Sequence, residues 1–437
     1  MDEKRGAAEP SNVFHRFCGI DVLGQRVNRP SLFNPCRLER WLVGVVGDGT
    51  GRDTAGSRGC NEPGWSKKSC GFPVVEFQQP SEAFTGADQP PGGGYHIGPS
   101  WDSACVLLPW YLHLYHGDIR VLAQHCDLMK RYVDFLRTRA KDHIVSYGLG
   151  DWMYPKTSTP AEVTSTGYYS TDALILSKAA ALLGKRDEAE QYGALAEQIR
   201  KAFHARLYKG DGTCANGSQT AQSCPLQMGL APDPEREAVI RQLVAAVEKQ
   251  DSHIDVGIIG IKYLLTTLAA NGRNDVAYRI ANQTTPPSWG DWLRRGATTM
   301  WEDWPGRSSH NHYAFGTVGE WLFKALAGIE PDESQPGFKH FIIHPRPVGD
   351  LKWVQAGYQS IRGRIESAWR REEGQFELRV LVPPNTTATV YVPTRNAASV
   401  TESRRPLGKV TGAKFLRLED DNAVLEVHSG AYRFQSR

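Results

Sequence analysis

The sequence predicts a mainly α chain followed by a C-terminal all-β domain. Two observations carry this. Apolar residues recur every three or four positions from about residue 99 to 330, and near Pro331 the period changes to two. A third observation sets the start of the chain apart. Residues 1–94 are rich in Gly, Pro and polar residues, and their one compact apolar run is "WLVGVVG". The chain thus divides into an irregular or divergent segment 1–94, a helical domain 95–332 and a β-sandwich domain 333–437. With 437 residues, 40% of them hydrophobic, it is long enough for more than one core.

The helical elements follow in order. "SACVLLPWYLHLYHGD" stops at Gly117. "VLAQHCDLMKRYVDFLRTR" carries a stripe of Val121, Leu122, Met129, Tyr132, Val133 and Leu136. "YYSTDALILSKAAALLGK" runs to Gly184, and the next helix carries Ala189, Tyr192, Leu195, Ile199 and Phe203 on one face. Further helices are expected at 235–249, 256–270, 273–281 and 314–328. These are hairpins in series joined by long polar loops, which build bundles, solenoids or toroidal (α/α) barrels. In a toroid the loops converge on one end and form a pocket.

After Pro331, "FKHFIIHP", "RGRIESAWRR", "QFELRVLV", "TATVYVP", "AVLEVHSG" and "AYRFQ" alternate and are rich in β-branched or aromatic residues. Turn signals separate them. They read as an antiparallel β-sandwich of roughly eight strands.

Composition excludes several classes. Charged residues are 23%, the formal net charge is +3 and there is no basic block, which argues against nucleic acid. No apolar run reaches the length of a membrane span, and "MDEKRGAAEP" lacks the apolar core of a signal peptide. The compartment and the oligomeric state are left open. None of the eight cysteines forms a C-x-x-C, so no metal or other cofactor is expected. Cys105 and Cys126 read as buried thiols. Cys214 and Cys224 flank a Gly/Ser-rich loop and could pair in an oxidising compartment. The 12 Trp and 16 Tyr suit sugar faces as well as a large core.

Four stretches could carry chemistry. "GATTMWEDWPG" sets Glu302 and Asp303 between Trp301 and Trp304. A carboxylate among tryptophans suits a general base or acid, while a plain loop acid or helix cap would look the same. "SSHNHYAFGTVGEWLF" places His310 and His312 before a helix, where His312 could donate to a substrate hydroxyl or simply sit at a helix start. "GLGDWMYP" offers Asp151 for hydroxyls and Trp152 for stacking, against a simple Asp turn. Asp291 and Trp292 repeat that pair. "GPSWDSACVLLPW" puts Trp101 and Asp102 at a helix start, where an N-cap is the ordinary use. Acids and tryptophans on loops at helix ends together suggest a carbohydrate pocket, and glycoside hydrolysis needs two carboxyl groups.

From about Gly98 to Thr394 the chain resembles the α-L-rhamnosidases of glycoside hydrolase family 78. "GATTMWEDWPG…NHYAFGTVGEWLFKALAGI", "PGFKHFIIHPRPVGDLKWVQAGY", "GDWMYP" and "NGSQTAQSCPLQMGLAP" carry the resemblance. It implies an (α/α)6 barrel followed by a β-sandwich. The helices counted here, about nine, fall short of six hairpins, so the barrel is expected to be incomplete. The resemblance further implies inverting release of terminal α-L-rhamnose from a rhamnose-containing glycoside or polysaccharide. Glu302 matches the general base, His312 a rhamnose contact, and Trp152 beside Asp151 the sugar subsite. Trp101, Asp102 and Trp301 complete the candidate binding set.

Two departures are visible. Where the family reads "WGDA" this chain has "WDSA", so the family's sugar-binding Asp falls on Ser103 and Asp102 lies one place early. The family's general-acid motif, "DCPxRDERLGW"-like, has only a faint echo in "GCNEPGW". Glu62, Glu76, Glu82 and Asp88 stand as substitutes, and hydrolysis is expected to be impaired. The rival readings are a non-catalytic rhamnoside-binding relative and another (α/α)-toroid glycosidase or lyase.

Overall fold

The computed structural model describes residues 21–22, 98–372 and 374–437. Apart from Asp21–Val22, the expectations for residues 1–94 fall outside the described residues. Those for Glu62, Glu76, Glu82, Asp88, Cys18, Cys36, Cys60 and Cys70 do so as well.

The helical part opens with α1 (Pro99–Asp102), α2 (Ala104–His116) and α3 (Ile119–Arg139). Gly117 ends α2 in the left-handed conformation (φ 71°), and Asp118 caps α3 by accepting from the amide of Arg120 at 3.0 Å. Next come α4 (Ala161–Leu182), α5 (Arg186–Leu207), α6 (Gln219–Gln227), α7 (Arg236–Glu248), α8 (Ile258–Ala270), α9 (Asn274–Ala281) and α10 (Trp289–Arg294). Four antiparallel pairs form: α2 with α3, α4 with α5, α6 with α7, and α8 with α9. Among the described residues, no helix is long and apolar enough to cross a membrane.

Two helical features differ from the sequence expectation. α4 begins at Ala161, well before the expected start at Tyr168. The added turns contain "VTSTG", a run of poor helix formers, but Val163 to Gly167 are all buried, so packing overrides propensity. The last helix, α11 (Val318–Trp321), opens from a 3₁₀ turn at Ala314–Thr317 and widens into a π turn at Leu322–Ala327. The carbonyls of that wide turn are taken by the sheet domain. Ala325 accepts from the amide of Arg346 (2.8 Å), Leu326 from Nε1 of Trp369 (2.7 Å) and Ala327 from Oγ of Ser367 (2.6 Å).

After the helices, the strands resume at Ile329. β2 (Ile329–Pro331) pairs with β3 (His340–Ile343), and β1 (Asp21–Val22) pairs with β4 (Trp353–Ser360). β5 (Gly363–Glu372) follows β4 antiparallel. β6 (Gln375–Pro393) and β10 (Asn422–Ser436) are each single long strands where the sequence suggested two. The start of β6 pairs with β5 and with the end of β10. The end of β6 pairs with β3 and with the start of β10, which also carries β9 (Ala413–Glu419). β7 (Thr401–Glu402) joins the end of β10, and β8 (Arg405–Pro406) joins β7. Two strand sets thus share two strands. The crossing points are Pro383–Pro384–Asn385 and Ser429–Gly430, where the register shifts. Proline and glycine bend these strands without ending them. One pairing departs from the antiparallel expectation: β3 and β6 run parallel. Residues of both sets, among them Leu378, Val380, Ala388, Val390, Leu425 and Phe434, share one apolar core, which continues into the helical domain.

Candidate active site

The site is organised around the start of α8. The first free amides of a helix have no intrahelical acceptor. Here one distant loop satisfies all of them. Asp151 Oδ2 accepts from the amide of Gly257 (2.8 Å), and its Oδ1 from Ile259 (3.0 Å) and Gly260 (2.9 Å). The carbonyl of Trp152 accepts from Ile258 (2.7 Å), and the Thr220 hydroxyl donates to Asp151 Oδ2. A Cβ at Gly257 would run into the carbonyl of Trp152, and one at Gly260 would lie 2.7 Å from Asp151 Oδ2. Asp255 completes the clamp by accepting from the amides of Lys156 (2.9 Å) and Thr157 (3.1 Å).

Asp151 is thus turned to the helix end. It is 1% exposed, and both oxygens are committed to the helix end. Burial pushes its pKa up, and the Thr220 hydroxyl and the three amides pull it back. Its neighbour Trp152 is 45% exposed.

"GATTMWEDWPG" reaches the same helix end. Nε1 of Trp304 donates to the carbonyl of Val256 at 3.1 Å. Trp304 stacks on Trp292 (centroids 4.7 Å), meets Trp289 edge-on (5.5 Å) and packs on Phe315 (4.4 Å). Trp292 and Trp289 donate in turn to the carbonyls of Trp304 (2.9 Å) and Phe315 (3.1 Å). Each of these three buried indoles has its N–H satisfied. Trp301 joins the packing too and does not form an open platform. It is 6% exposed, the His310 ring stacks on it at 4.4 Å and the Arg295 guanidinium lies 4.6 Å from its centroid. Asp291 and Trp292, the second Asp-Trp pair, are also buried. Asp291 is bonded to Arg294 at 3.1 Å.

The two acids of the stretch part company. Asp303 is 8% exposed and its Oδ1 accepts from the amides of Arg307 (2.8 Å) and Ser308 (3.3 Å), closing a tight turn. Glu302 stays half-buried. Its amide donates to the carbonyl of Ser309 (2.8 Å), and its Oε2 accepts from the Ser309 amide (3.1 Å). Its Oε1 accepts no hydrogen bond among the described residues. His312 is tied to this loop by its amide, which donates to the carbonyl of Met300 (2.9 Å). Its Nδ1 accepts from the amide of Ala314 (3.3 Å), so in the neutral ring Nε2 carries the proton and can donate outward. Exposed Tyr313 stacks on it at 4.9 Å.

Trp101 packs against the cluster of Tyr168, Cys224, Ile259 and Tyr263, again at the start of α8. Asp102, beside it, is half-buried, and desolvation pushes its carboxyl up to about 7. Ser103 is fully buried and donates to Asp172 Oδ2 at 2.5 Å.

The structure thus gathers the loops of Trp101–Asp102, Trp152, Glu302 and His312 around one helix end. Sequence reasoning missed the segment that gathers them, Asp255–Gly260. Its only signal was a pair of glycines three apart at a helix start. The cysteine pairing is also overturned: Cys214 and Cys224 are free and buried. Cys214 lies in the large core, and Cys224 faces Tyr168 and Tyr263.

Comparison with known proteins gives this arrangement a context. The α-L-rhamnosidase of Streptomyces avermitilis is 36% identical over 346 residues, which is 76% of this chain and 32% of that protein. An α-L-rhamnosidase of Formosa agariphila is 29% identical over 361 residues, 78% of this chain and 39% of its own. The crystal structure of the Streptomyces avermitilis enzyme complexed with L-rhamnose superposes with a TM-score of 0.72, covering 77% of this chain and 33% of that one. The α-L-rhamnosidase structure from Dictyoglumus thermophilum, 35% identical, also gives 0.72, covering 78% of this chain and 40% of that one. The chain spans about a third of the length of these relatives. Residues 74–326 match the bacterial alpha-L-rhamnosidase 6 hairpin glycosidase domain, and residues 328–406 match the bacterial alpha-L-rhamnosidase C-terminal domain. The two family models match in the order of the helical and sheet domains and the first covers more than half of the chain, so this chain belongs to the bacterial α-L-rhamnosidase family.

Proposed function

We propose that this chain is a glycoside hydrolase that releases terminal α-L-rhamnose from rhamnose-containing glycosides with inversion. Glu302 is the general base. The observation that carries this reading is the pair of loose ends at the start of α8. Glu302 has one carboxylate oxygen fixed by a backbone amide and the other without a hydrogen bond among the described residues, close in the chain to a histidine whose Nε2 can donate. An oxygen so held can take a proton from water while the bonded oxygen fixes its direction. His312 donates to a sugar hydroxyl, and exposed Trp152 stacks on the apolar face of the ring. Inversion needs room for water between base and sugar, which an open, half-buried carboxylate allows.

Glu302→Gln tests the assignment because it keeps the shape and the bond from Ser309 but removes the base. Hydrolysis of an activated aryl α-L-rhamnoside should fall by about 10²–10⁴-fold with rhamnose affinity kept. The first product, followed by NMR, should be β-L-rhamnose. A variant as active as the parent would remove Glu302 from the mechanism. A parent that binds L-rhamnose but hydrolyses nothing would make the chain a rhamnoside-binding protein.

A further inference from the structure

We propose that Arg295, held by Asp291, is a positioning residue for Glu302, a role that rests on the rhamnosidase reading above. The first ground is how the second Asp-Trp stretch, "GDWLRRG", ends α10. Gly296 closes the helix in the left-handed conformation (φ 85°). Its amide donates to the carbonyl of Leu293 (3.0 Å), and the amide of Ala297 donates to that of Trp292 (2.9 Å), the paired bonds of a Schellman motif. Arg295, the residue before that glycine, therefore leaves the helix from a fixed backbone. Asp291, one turn earlier and 7% exposed, has its Oδ2 3.5 Å from the Arg295 Nη1. Asp291 is itself fixed: its amide donates to the Ser288 hydroxyl (3.0 Å) and its Oδ1 accepts from Arg294 (3.1 Å).

The second ground is what the guanidinium touches. Nη2 donates to the carbonyl of Pro305 at 2.7 Å, and Nη1 lies 3.5 Å from that of Trp304. Its Cζ stands 4.6 Å from the centroid of Trp301. One flat group thus reaches both ends of the turn from Trp301 to Gly306, and Glu302 stands on that turn. The turn is packed against the same indole. The Gly306 amide closes it on the Asp303 carbonyl (3.1 Å), and an added Cβ at Gly306 would meet the Trp301 ring at 2.5 Å. The Pro305 carbonyl accepts from no other group among the described residues. A planar fork can reach two carbonyls and cover a ring at once, which a lysine ammonium cannot.

None of these contacts is to the Glu302 carboxylate, so Arg295 acts through the backbone of the loop. The returning side of the loop already holds the acid, because the Ser309 amide bonds its Oε2. Arg295 fixes the outgoing side. Without the fork, Trp304 and its bond to Val256 are left to hold that side, and the carboxylate can shift against the water it must deprotonate. A misplacement of about 1 Å in a reacting group costs about 10²-fold in rate. The sugar is bound by other residues in this reading, so the loss falls on turnover and not on binding.

Arg295→Ala, Arg295→Lys and Asp291→Asn, assayed on an activated aryl α-L-rhamnoside, test this. In Arg295→Ala kcat should fall by about 10- to 10²-fold, with KM and the calorimetric affinity for L-rhamnose within a few-fold of the parent. Arg295→Lys, which keeps a cation over Trp301 and one donor, should keep part of the rate. Ethylguanidinium should restore part of the rate of Arg295→Ala and do nothing for Glu302→Gln. Asp291→Asn should lower kcat less. The double variant Asp291→Asn/Arg295→Ala should lose no more than Arg295→Ala, because the acid acts through the guanidinium. Hydrogen exchange in Arg295→Ala should quicken at the Glu302 and Ser309 amides and stay as in the parent at Gly257 and Ile259. Parent rates in Arg295→Ala would overturn the assignment alone. So would a loss carried by KM and rhamnose affinity, which would make Arg295 a sugar contact. Faster exchange throughout the helical domain would also overturn it and leave Arg295 a residue of general stability. A parent chain that hydrolyses no rhamnoside would overturn the rhamnosidase reading and this role with it.

Discussion

Replacing Asp151 with Asn changes one atom and tests whether a carboxylate, and not a neutral acid, holds the candidate site together. The carboxylate accepts four hydrogen bonds, from Gly257, Ile259, Gly260 and Thr220. An amide can accept at one oxygen only. If its NH₂ took the place of Oδ1, two helix amides would be stranded. If it took the place of Oδ2, the Thr220 hydroxyl could turn and accept, and only Gly257 would be stranded. The second arrangement is the cheaper. One buried unsatisfied amide costs about 1–3 kcal/mol. The two bonds kept at Ile259 and Gly260 lose their charge assistance, about 1 kcal/mol each. Relief from burying a charge offsets part of this, and the net destabilisation should be about 2–4 kcal/mol. The prediction depends on the ionisation of Asp151. Burial raises its pKa, while the Thr220 hydroxyl and three amide donors at the positive end of α8 favour the charged form. A protonated Asp151 would resemble Asn, with one oxygen already a donor, and the substitution would then cost little. Urea unfolding of the two proteins gives the difference, and hydrogen exchange at Gly257, Ile259 and Gly260 localises it. A loss below about 1 kcal/mol with unchanged exchange at those amides would refute the charged clamp.

Two further perturbations follow from the same reasoning. Trp304→Phe keeps most of the ring packing but leaves the Val256 carbonyl without its donor, so it should cost about 1–3 kcal/mol in urea unfolding and lower hydrolysis through the Glu302 loop. Stability equal to the parent would show that the indole bond does not anchor the loop. His344 sits behind the sheet, stacked on Tyr391 at 4.1 Å, and burial followed by the charge of Arg346 lowers its pKa to about 4. A base depressed in this way binds fewer protons folded than unfolded. Its contribution is present above about pH 6.5 and lost as pH falls toward 4, by up to about 3 kcal/mol. His344→Phe keeps the stacking and should flatten that part of the acid limb in pH-dependent thermal unfolding. An unchanged acid limb would show that another group titrates there.

The fold and the site were legible to different depths. The change of period near Pro331 marks the passage from helices to strands within two residues, because Ile329 opens the first strand after the helices. Stripes such as Leu122, Met129, Tyr132, Val133 and Leu136 lie on the buried face as spaced. The early start of α4 was hidden because its first turns read as loop by propensity and are helical only through burial on every side. Within the site, Glu302, His312 and Trp152 stand on loops whose composition set them apart. The parts played by Asp151 and Trp301 could not be read, because an Asp or Trp in a loop looks alike whether it faces a ligand or the protein's own helix end. That distinction rests on contacts more than a hundred residues apart, such as Asp151 with Gly257. No local pattern encodes them.

The two long strands bear on how the C-terminal domain comes into being. β10 is the last of the described strands and also the centre of both strand sets, flanked by β6 along its length, by β9 at its start and by β7 at its end. During synthesis every other described strand leaves the ribosome before it. Until Asn422–Ser436 emerge, β6 has no partner on one whole edge, and β9 and β7 have no sheet to join. The domain is therefore completed from its tail. A premature stop just after Glu419 would remove the middle of the sheet and not its margin, and would expose the longest strand edge in the domain to other chains.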